Sequence, residues 1–219
     1  MTFCLDSTII KPEDSKKIKN AIILLHGYGG DGKDISILSL NWKRHLPNTI
    51  FICPNGHEPC SINQLGFQWF DLTKDDPKHI LEESIKAEKI LNKFIEEVKK
   101  EFNLENNKIC LSGFSQGCMM SINLGLISEK EFSCIVGFSG KIINEENLKV
   151  RKKNSTKTLL IHGDTDQVVS PSFLLEAKDF FIRNNVEIET HLIEKCDHHI
   201  SIEASSIALN YIKKKFNNS

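Results

Sequence analysis

Short apolar runs alternate with longer amphipathic segments along most of the 219 residues. The apolar runs are rich in β-branched residues, a composition that predicts strands. The predicted strands cover residues 21–25, 49–53, 108–111, 134–138, 158–161 and 188–193. Helical patterns separate most of them, which is typical of a mostly parallel sheet with helices on both faces. With no internal repeat or linker, the pattern predicts one α/β domain over residues 1–219.

The clearest helical pattern covers residues 77–102. Asp76 is its predicted N-cap, and Pro77 takes the first helical position, where a missing N–H costs little. Its predicted buried stripe consists of Leu81, Ile85, Leu91, Phe94, Ile95, Val98 and Phe102. Further helices are predicted over residues 116–127, from about Ser170 and Pro171, and near the C-terminus, where Leu209, Ile212 and Phe216 share one face.

Charge and composition narrow the classes of function. A formal net charge of -1 gives no electrostatic footprint for nucleic acid, and the basic run over residues 149–153 is interpreted as a solvated loop. No apolar stretch approaches the roughly 20 residues that span a bilayer, so stable membrane insertion is not expected. The N-terminus lacks the pattern of a signal peptide, and seven scattered cysteines suggest reduced thiols. These features predict a cytoplasmic protein.

The segment 113–117, with the sequence Gly-Phe-Ser-Gln-Gly, follows the predicted strand over residues 108–111 and opens the next helix. A G-x-S-x-G turn between a strand and a helix presents its serine above the sheet, as in hydrolases that use a serine nucleophile. The alternative is a glycine-rich turn that holds an ordinary serine. Ser115 is therefore the candidate nucleophile.

A glycine-rich loop over residues 26–32 follows the first predicted strand, and two interpretations of it compete. Its spacing satisfies the G-x-G-x-x-G of dinucleotide-binding folds, but the next strand lacks the acidic residue that would hold a ribose. The other interpretation is an oxyanion loop, which agrees with the serine turn. The predicted donors are the backbone N–H groups of Tyr28 and Gln116, and His26 is interpreted as a residue that orders the loop.

A serine nucleophile needs a histidine base and an acid that orients it, and in this arrangement both follow the serine along the chain. Asp164 and Asp166 follow the predicted strand over residues 158–161, and spacing alone does not choose between them. His198 and His199 lie between the last strand and the last helix, and they too remain equivalent on spacing. No second ligand cluster at zinc-site spacing accompanies them, so no metal site is predicted.

Several of these blocks occur together in a known family. They are residues 25–27 (Leu-His-Gly), 53–55 (Cys-Pro-Asn), 68–71 (Gln-Trp-Phe-Asp), 113–117, 162–166 (His-Gly-Asp-Thr-Asp) and 198–201 (His-His-Ile-Ser). In this order the chain resembles the phospholipase/carboxylesterase family of small α/β-hydrolases, which includes acyl-protein thioesterases and bacterial carboxylesterases. The resemblance implies an α/β-hydrolase fold, and the short segment between the strands over residues 134–138 and 158–161 predicts that it has no lid domain.

The resemblance also assigns roles to residues. It implies that Ser115 is the nucleophile, that Asp166 is the acid and that His198 is the base. It places Trp69 near the acyl pocket, although a buried core tryptophan is an equal alternative. A mechanism with these roles requires no metal or organic cofactor, so none is expected here.

Two positions depart from the usual pattern of the family. Cys118 stands where the family usually has another glycine, and it is either a thiol sensitive to oxidation or a buried, inert cysteine. Residues 195–197 replace the usual Gly-Met-Gly before His198. We hypothesise that the charge of Asp197 raises the pKa of the His198 imidazole if the two lie close together.

The sequence thus predicts an enzyme that hydrolyses carboxylic esters or thioesters through an acyl-enzyme intermediate. Because the segment between the strands ending at Phe138 and starting at Thr158 is short for a lid domain, short- to medium-chain acyl substrates are expected. The alternatives are a lysophospholipase, an acyl-protein thioesterase, a lactone hydrolase or peptidase, and a non-catalytic binding protein. The expected partners are a small acyl ester or thioester, a lysophospholipid or an acylated protein, and the expected state is a monomer or homodimer.

Overall fold

The structure, a computed structural model, describes residues 3–13 and 17–217. Its strands are β1 (Ser7–Ile10), β2 (Asn20–Leu25), β3 (Thr49–Pro54), β4 (Glu58–Pro59), β5 (Phe67–Gln68), β6 (Ile109–Phe114), β7 (Cys134–Phe138), β8 (Thr158–Gly163) and β9 (Ile188–Ile193). Its α-helices are α1 (Gly32–Ile35), α2 (Ile37–Trp42), α3 (Pro77–Phe102), α4 (Gln116–Ile127), α5 (Glu145–Arg151), α6 (Ser172–Arg183) and α7 (Ile202–Asn217).

In the described residues, seven strands form one sheet in the order β1-β3-β2-β6-β7-β8-β9. Every neighbouring pair is parallel except β1 with β3, which is antiparallel at the edge of the sheet. β4 and β5 pair separately as a short antiparallel hairpin. Because parallel strands share their carboxyl edge, the loops that leave β2, β6 and β8 meet at one end of the sheet, where ligands bind in open α/β sheets.

The two faces of the sheet follow the two-residue period of the strands. On β2, Ile23 and Leu25 point into the cluster formed with α3 and α4. Ile22 and Leu24 point to the other face, where α1, α2 and α7 supply the packing partners. Both faces of the central strands are therefore buried, which explains why these strands are continuous apolar runs rather than alternating ones.

The six predicted strands and the predicted long helices are confirmed. Asp76 caps α3 by accepting a hydrogen bond from the N–H of Lys78 at 3.0 Å, and Pro77 opens the helix as expected. The sequence interpretation missed β1, the β4–β5 hairpin, α1, α2 and α5. Most of these are too short to show a periodic pattern.

Two sequence expectations need correction. Part of the run over residues 149–153, expected to be a loop, belongs to α5, which is capped by the side chain of Asn144. The buried stripe of α3 also differs from the prediction, and Phe102 at its C-terminal end is only half-buried. Leu81 and Ile85 are only half-buried, whereas Ser84 and Glu88 are fully buried.

The connection between β7 and β8 is short, as the sequence indicated. This connection contains the helix α5, and Leu148 of that helix packs into the core beside α4 and α6. In the described part of the chain, no helix combines the length and the apolar character needed to cross a bilayer.

Candidate active site

Ser115 lies at the sharp turn between β6 and α4. Its backbone has φ 53° and ψ -116°, a region that non-glycine residues rarely adopt. The turn is possible because glycines flank it. A Cβ on Gly113 would overlap the carbonyl group of Gly117, and a Cβ on Gly117 would overlap the carbonyl oxygen of Leu25. The strained backbone lifts the serine hydroxyl out of the sheet toward the loops.

His198 brings the hydroxyl of Ser115 and the carboxylate of Asp166 into one chain of hydrogen bonds. Its Nε2 lies 3.0 Å from Ser115 Oγ, and its Nδ1 lies 2.7 Å from Asp166 Oδ2. Since an ionised carboxylate only accepts, Nδ1 carries the proton and donates to Asp166. Nε2 is then free to accept the hydroxyl proton of Ser115, the tautomer that a general base requires.

The side chain of Asp166 is fully buried. Burial alone would raise the pKa of this carboxyl. Hydrogen bonds from His198 and from the backbone N–H groups of Val169 and Val168 outweigh burial and lower the pKa below its usual value. Asp166 is therefore a carboxylate at neutral pH, held in place from several directions.

His162 is a neighbour of Asp166 that the sequence interpretation gave no role. Its Nε2 lies 2.8 Å from the carbonyl oxygen of Val169 and 3.3 Å from Asp166 Oδ2. Burial lowers the pKa of this imidazole, so it is neutral, and its Nε2 proton is shared between these two acceptors. His162 thus ties both ends of the Asp166 loop together. The only sequence signal was its position at the end of β8, in the block that contains the aspartates.

The structure separates the two pairs that spacing left equivalent. The carboxylate of Asp164 accepts a hydrogen bond from the N–H of Cys196 at 3.3 Å and so joins two loops. The ring of His199 contacts the carboxylate of Asp197. The Asp197 side chain is 75% exposed and pairs with His199 instead of the His198 ring, which corrects the contact on which our hypothesis for this charge rested.

The loop that carries Tyr28 lies beside the serine turn. A Cβ on Gly27 would be 3.4 Å from the Cβ of Ser115, so the loop and the turn pack against each other. Gln116 is the first residue of α4, where N–H groups have no acceptor within the helix. The phenol of Tyr28 is tied to the hydroxyl of Ser61 at 2.9 Å. The loop that carries Tyr28 and the first residue of α4 thus both adjoin Ser115.

His26 orders this loop from inside the protein. Its Nδ1 donates to the carbonyl oxygen of Gly27 at 2.7 Å, and its Nε2 accepts from the N–H of Gly56 at 2.8 Å. Burial lowers the pKa of this imidazole, which agrees with a neutral ring that donates on one side and accepts on the other.

Trp69 lies in the core, in agreement with the second of its two alternatives. It has no exposed surface, its ring lies against the His26 ring at 4.9 Å, and its indole N–H donates to the His26 carbonyl oxygen at 2.9 Å. The amide side chain of Gln116, whose role the sequence did not suggest, binds the same segment. It accepts from the N–H of Trp69 at 2.8 Å and donates to the carbonyl oxygen of Phe70 at 2.7 Å.

Cys118 is buried in the first turn of α4, and burial raises its pKa to about 12. The thiol is therefore protonated and unreactive at neutral pH, which favours the inert alternative for this residue. Among the described residues, no group of three or more His, Cys, Asp or Glu side chains is placed to hold a metal ion.

Comparisons with known proteins identify the family of the chain. A sequence model of the phospholipase/carboxylesterase family matches residues 6–216. The chain is 26% identical over 212 residues to acyl-protein thioesterase 1 of Yarrowia lipolytica, across 88% of this chain and 90% of that protein. It is 25% identical over 215 residues to esterase YpfH of Escherichia coli, across 95% of this chain and 88% of that protein.

The crystal structure of esterase PE8 matches with a TM-score of 0.91 and 30% identity, across 96% of this chain and 98% of that one. The architecture is therefore the α/β-hydrolase fold, as the resemblance implied. The protein is a hydrolase of the carboxylesterase or thioesterase kind. With a family match across nearly its whole length, this chain belongs to the phospholipase/carboxylesterase family.

Proposed function

We propose that the protein is a serine hydrolase that cleaves carboxylic esters or thioesters with short- to medium-chain acyl groups through an acyl-enzyme intermediate. One observation carries the proposal. The Ser115 hydroxyl, on its strained turn, lies 3.0 Å from a histidine nitrogen whose ring is oriented by a buried carboxylate at 2.7 Å. A serine hydroxyl is a weak nucleophile at neutral pH, and this arrangement supplies the base that activates it.

In the first half of the reaction, Ser115 Oγ attacks the acyl carbon and His198 Nε2 takes the hydroxyl proton. Asp166 stabilises the imidazolium that forms. The backbone N–H groups of Tyr28 and Gln116 donate to the negative oxygen of the tetrahedral intermediate. When this intermediate collapses, the bond to the leaving oxygen or sulfur breaks, and His198 returns its proton to that atom.

In the second half, a water molecule takes the place of the leaving group. The water oxygen attacks the acyl carbon of the ester on Ser115 while His198 Nε2 removes a proton from the water. The second tetrahedral intermediate collapses, the bond to Ser115 Oγ breaks and His198 protonates that oxygen. The carboxylic acid leaves, and the resting tautomer of His198 is restored.

Two observations support the substrate class. In the described part of the chain, the connection between β7 and β8 contains the short helix α5 and is too short to form a lid over the site. An uncovered site favours small substrates that are free in solution. Relatives that are named acyl-protein thioesterase support thioesters as substrates beside oxygen esters.

A fluorophosphonate probe tests the proposal, because it reacts with an activated serine and not with an ordinary hydroxyl. We expect the wild-type protein to be labelled on Ser115 and to hydrolyse a nitrophenyl butyrate. The Ser115→Ala variant should be unlabelled and lose activity by about 10⁶-fold, as when the serine of such a triad is removed. Cys118→Ser serves as a control for labelling of a nearby thiol. Unchanged activity in Ser115→Ala overturns the proposal.

A further inference from the structure

A cavity of about 380 Å³ opens on the histidine side of Ser115. His198 and the loop that carries Tyr28 form its inner end. Its apolar wall consists of Ile35, Ile37, Leu38, Phe114 and Ile200. These residues come from α1 and α2, from the end of β6 and from the loop before α7, which are distant in sequence and converge only in the fold.

The position of the cavity relative to His198 indicates what it binds. In ester or thioester cleavage, Nε2 of the base must deliver its proton to the departing oxygen or sulfur. The departing group therefore lies on the side of the imidazole, whereas the acyl carbon is bonded to Ser115. The cavity is bounded by His198, His199 and Ile200, and the Phe114 ring lies 4.8 Å from the His198 ring. A group that leaves toward His198 thus enters this cavity.

The charge of the wall adds a second restriction. Asp34 lies at the cavity and is exposed, and the described residues that line it include no lysine or arginine. An anionic group would meet the negative charge of Asp34 without a cation to compensate it. Ile37 is 62% exposed, so an apolar group that covers it removes apolar surface from water, which favours binding.

We infer that this cavity is the leaving-group site and that it selects esters and thioesters whose alcohol or thiol is neutral and apolar. The inference rests on the proposed function and deepens it. It assigns Ile37, Leu38 and Ile200 to substrate selection, and it predicts poor acceptance of polyanionic thiols such as coenzyme A. A second groove shares these three residues along α2 and α7, and its lining includes Arg44, so the charge restriction applies to groups held within the first cavity.

The test uses the fact that esters with one acyl group share one acyl-enzyme. Benzyl butyrate and ethyl butyrate release alcohols of similar acidity but different apolar size. We expect kcat/KM to be about tenfold higher for the benzyl ester, since the added ring carbons are covered by the cavity. The rate of deacylation, measured in single-turnover experiments, should be the same for both esters.

Ile37→Gln and Leu40→Gln form a matched pair of variants. Both residues belong to α2 and are exposed to a similar degree, 62% and 69%, but Leu40 is not part of the cavity. Ile37→Gln should lower kcat/KM for benzyl butyrate roughly threefold and for ethyl butyrate by a smaller factor. Leu40→Gln should leave both values as in the wild type. Circular dichroism of both variants checks that α2 is intact.

The charge is tested with two butyryl thioesters, of N-acetylcysteamine and of coenzyme A, which carry similar thiol groups. The wild type should have the higher kcat/KM for the neutral thioester. Asp34→Asn should lower the ratio of the two kcat/KM values by roughly threefold, and added salt should lower it as well.

The outcomes separate the two proposals. If no ester or thioester is hydrolysed, the proposed function is overturned. If esters are hydrolysed but the effect of Ile37→Gln follows the acyl chain, for example ethyl hexanoate against ethyl butyrate, the cavity is an acyl site and the inference alone is overturned. Equal kcat/KM values for benzyl and ethyl butyrate in the wild type overturn it as well.

Discussion

Asp166 and Glu88 both have buried carboxylates, but the two carboxylates are paired with different groups. Asp166 accepts from the imidazole of His198. Glu88, on α3, is 2% exposed and accepts from the guanidinium of Arg151 on α5 and from the amide of Asn123 on α4. One pair contains a ring that can gain and lose a proton, and the other contains a cation that keeps its charge.

This difference separates chemistry from stability. A permanent ion pair such as Glu88 with Arg151 fixes how α3, α4 and α5 pack, and it has no proton to offer a substrate. The hydrogen bond between Asp166 and His198 becomes an ion pair only when the imidazole takes a proton during the reaction. Substitutions at the two carboxylates should therefore affect different measurements, and four predictions follow this comparison from the largest expected effect to the smallest.

Asp166→Asn should reduce kcat/KM for a nitrophenyl ester by up to about 10⁴-fold, because an amide N–H next to His198 Nδ1 favours the wrong tautomer. The asparagine oxygen still accepts from the N–H groups of Val168 and Val169, so the fold should remain intact. Steady-state hydrolysis and urea unfolding measure the two effects. Activity close to that of the wild type would show that Asp166 does not orient the base.

Arg151→Met should lower the free energy of unfolding by about 3 kcal/mol, since it leaves the buried carboxylate of Glu88 without its cation. Activity per folded molecule should not change. Glu88→Gln should destabilise less, because the side chain of Arg151 is 30% exposed and can turn toward water. Lys149→Met, an exposed position on the same helix, is the control. Urea unfolding measures the free energy of unfolding of each variant. Equal decreases in Arg151→Met and Lys149→Met would contradict this account.

The stability contribution of Asp166 should depend on pH. Hydrogen bonds lower its pKa in the folded protein, so the unfolded chain takes up a proton first as the pH falls. The contribution is complete above the unfolded pKa of about 4 and is lost as the pH falls through the lower, folded value. Unfolding of wild type and Asp166→Asn from neutral to acidic pH should therefore converge below about pH 4. A difference that stays constant would contradict the lowered pKa.

Asp197 provides the exposed counterpart of the two buried carboxylates. Its pair with His199 is open to water, and exposed pairs contribute little, about 0.2–1 kcal/mol. Asp197→Asn should change kcat/KM by less than about twofold, and the acidic limb of the pH–rate profile should not move. A downward shift of that limb would show that Asp197 acts on His198 after all.

The central strands and the serine turn could be predicted because their signals are local. A glycine on each side of Ser115 is needed by backbone geometry, so the motif reports the turn itself. Asp164 and Asp166 could not be separated in this way, since they leave the same strand two residues apart. The choice depends on which carboxylate meets His198, 32 residues away.

Contacts between distant segments were invisible in the sequence for the same reason. Glu88 and Arg151 are 63 residues apart, and a glutamate within the apolar face of α3 shows no sign of its partner on α5. The amide of Gln116 binds a segment 46 and 47 residues away. The resemblance left Trp69 with two equal alternatives, the acyl pocket and the core, because a tryptophan whose indole N–H finds a buried carbonyl also suits the core.

The thiol of Cys118 has a consequence for how this protein can evolve. A Cβ on Gly140 would lie 2.5 Å from its Sγ and 2.6 Å from its Cβ, and a Cβ on Gly137 would also overlap the sulfur. Alanine at either position therefore requires the cysteine to shift, and at Gly137 it also meets Cδ2 of Leu160 at 2.8 Å. Replacing Cys118 by glycine removes the nearest obstruction to both. The three positions form an epistatic set, in which the order of substitutions decides which variants of this turn a lineage can reach.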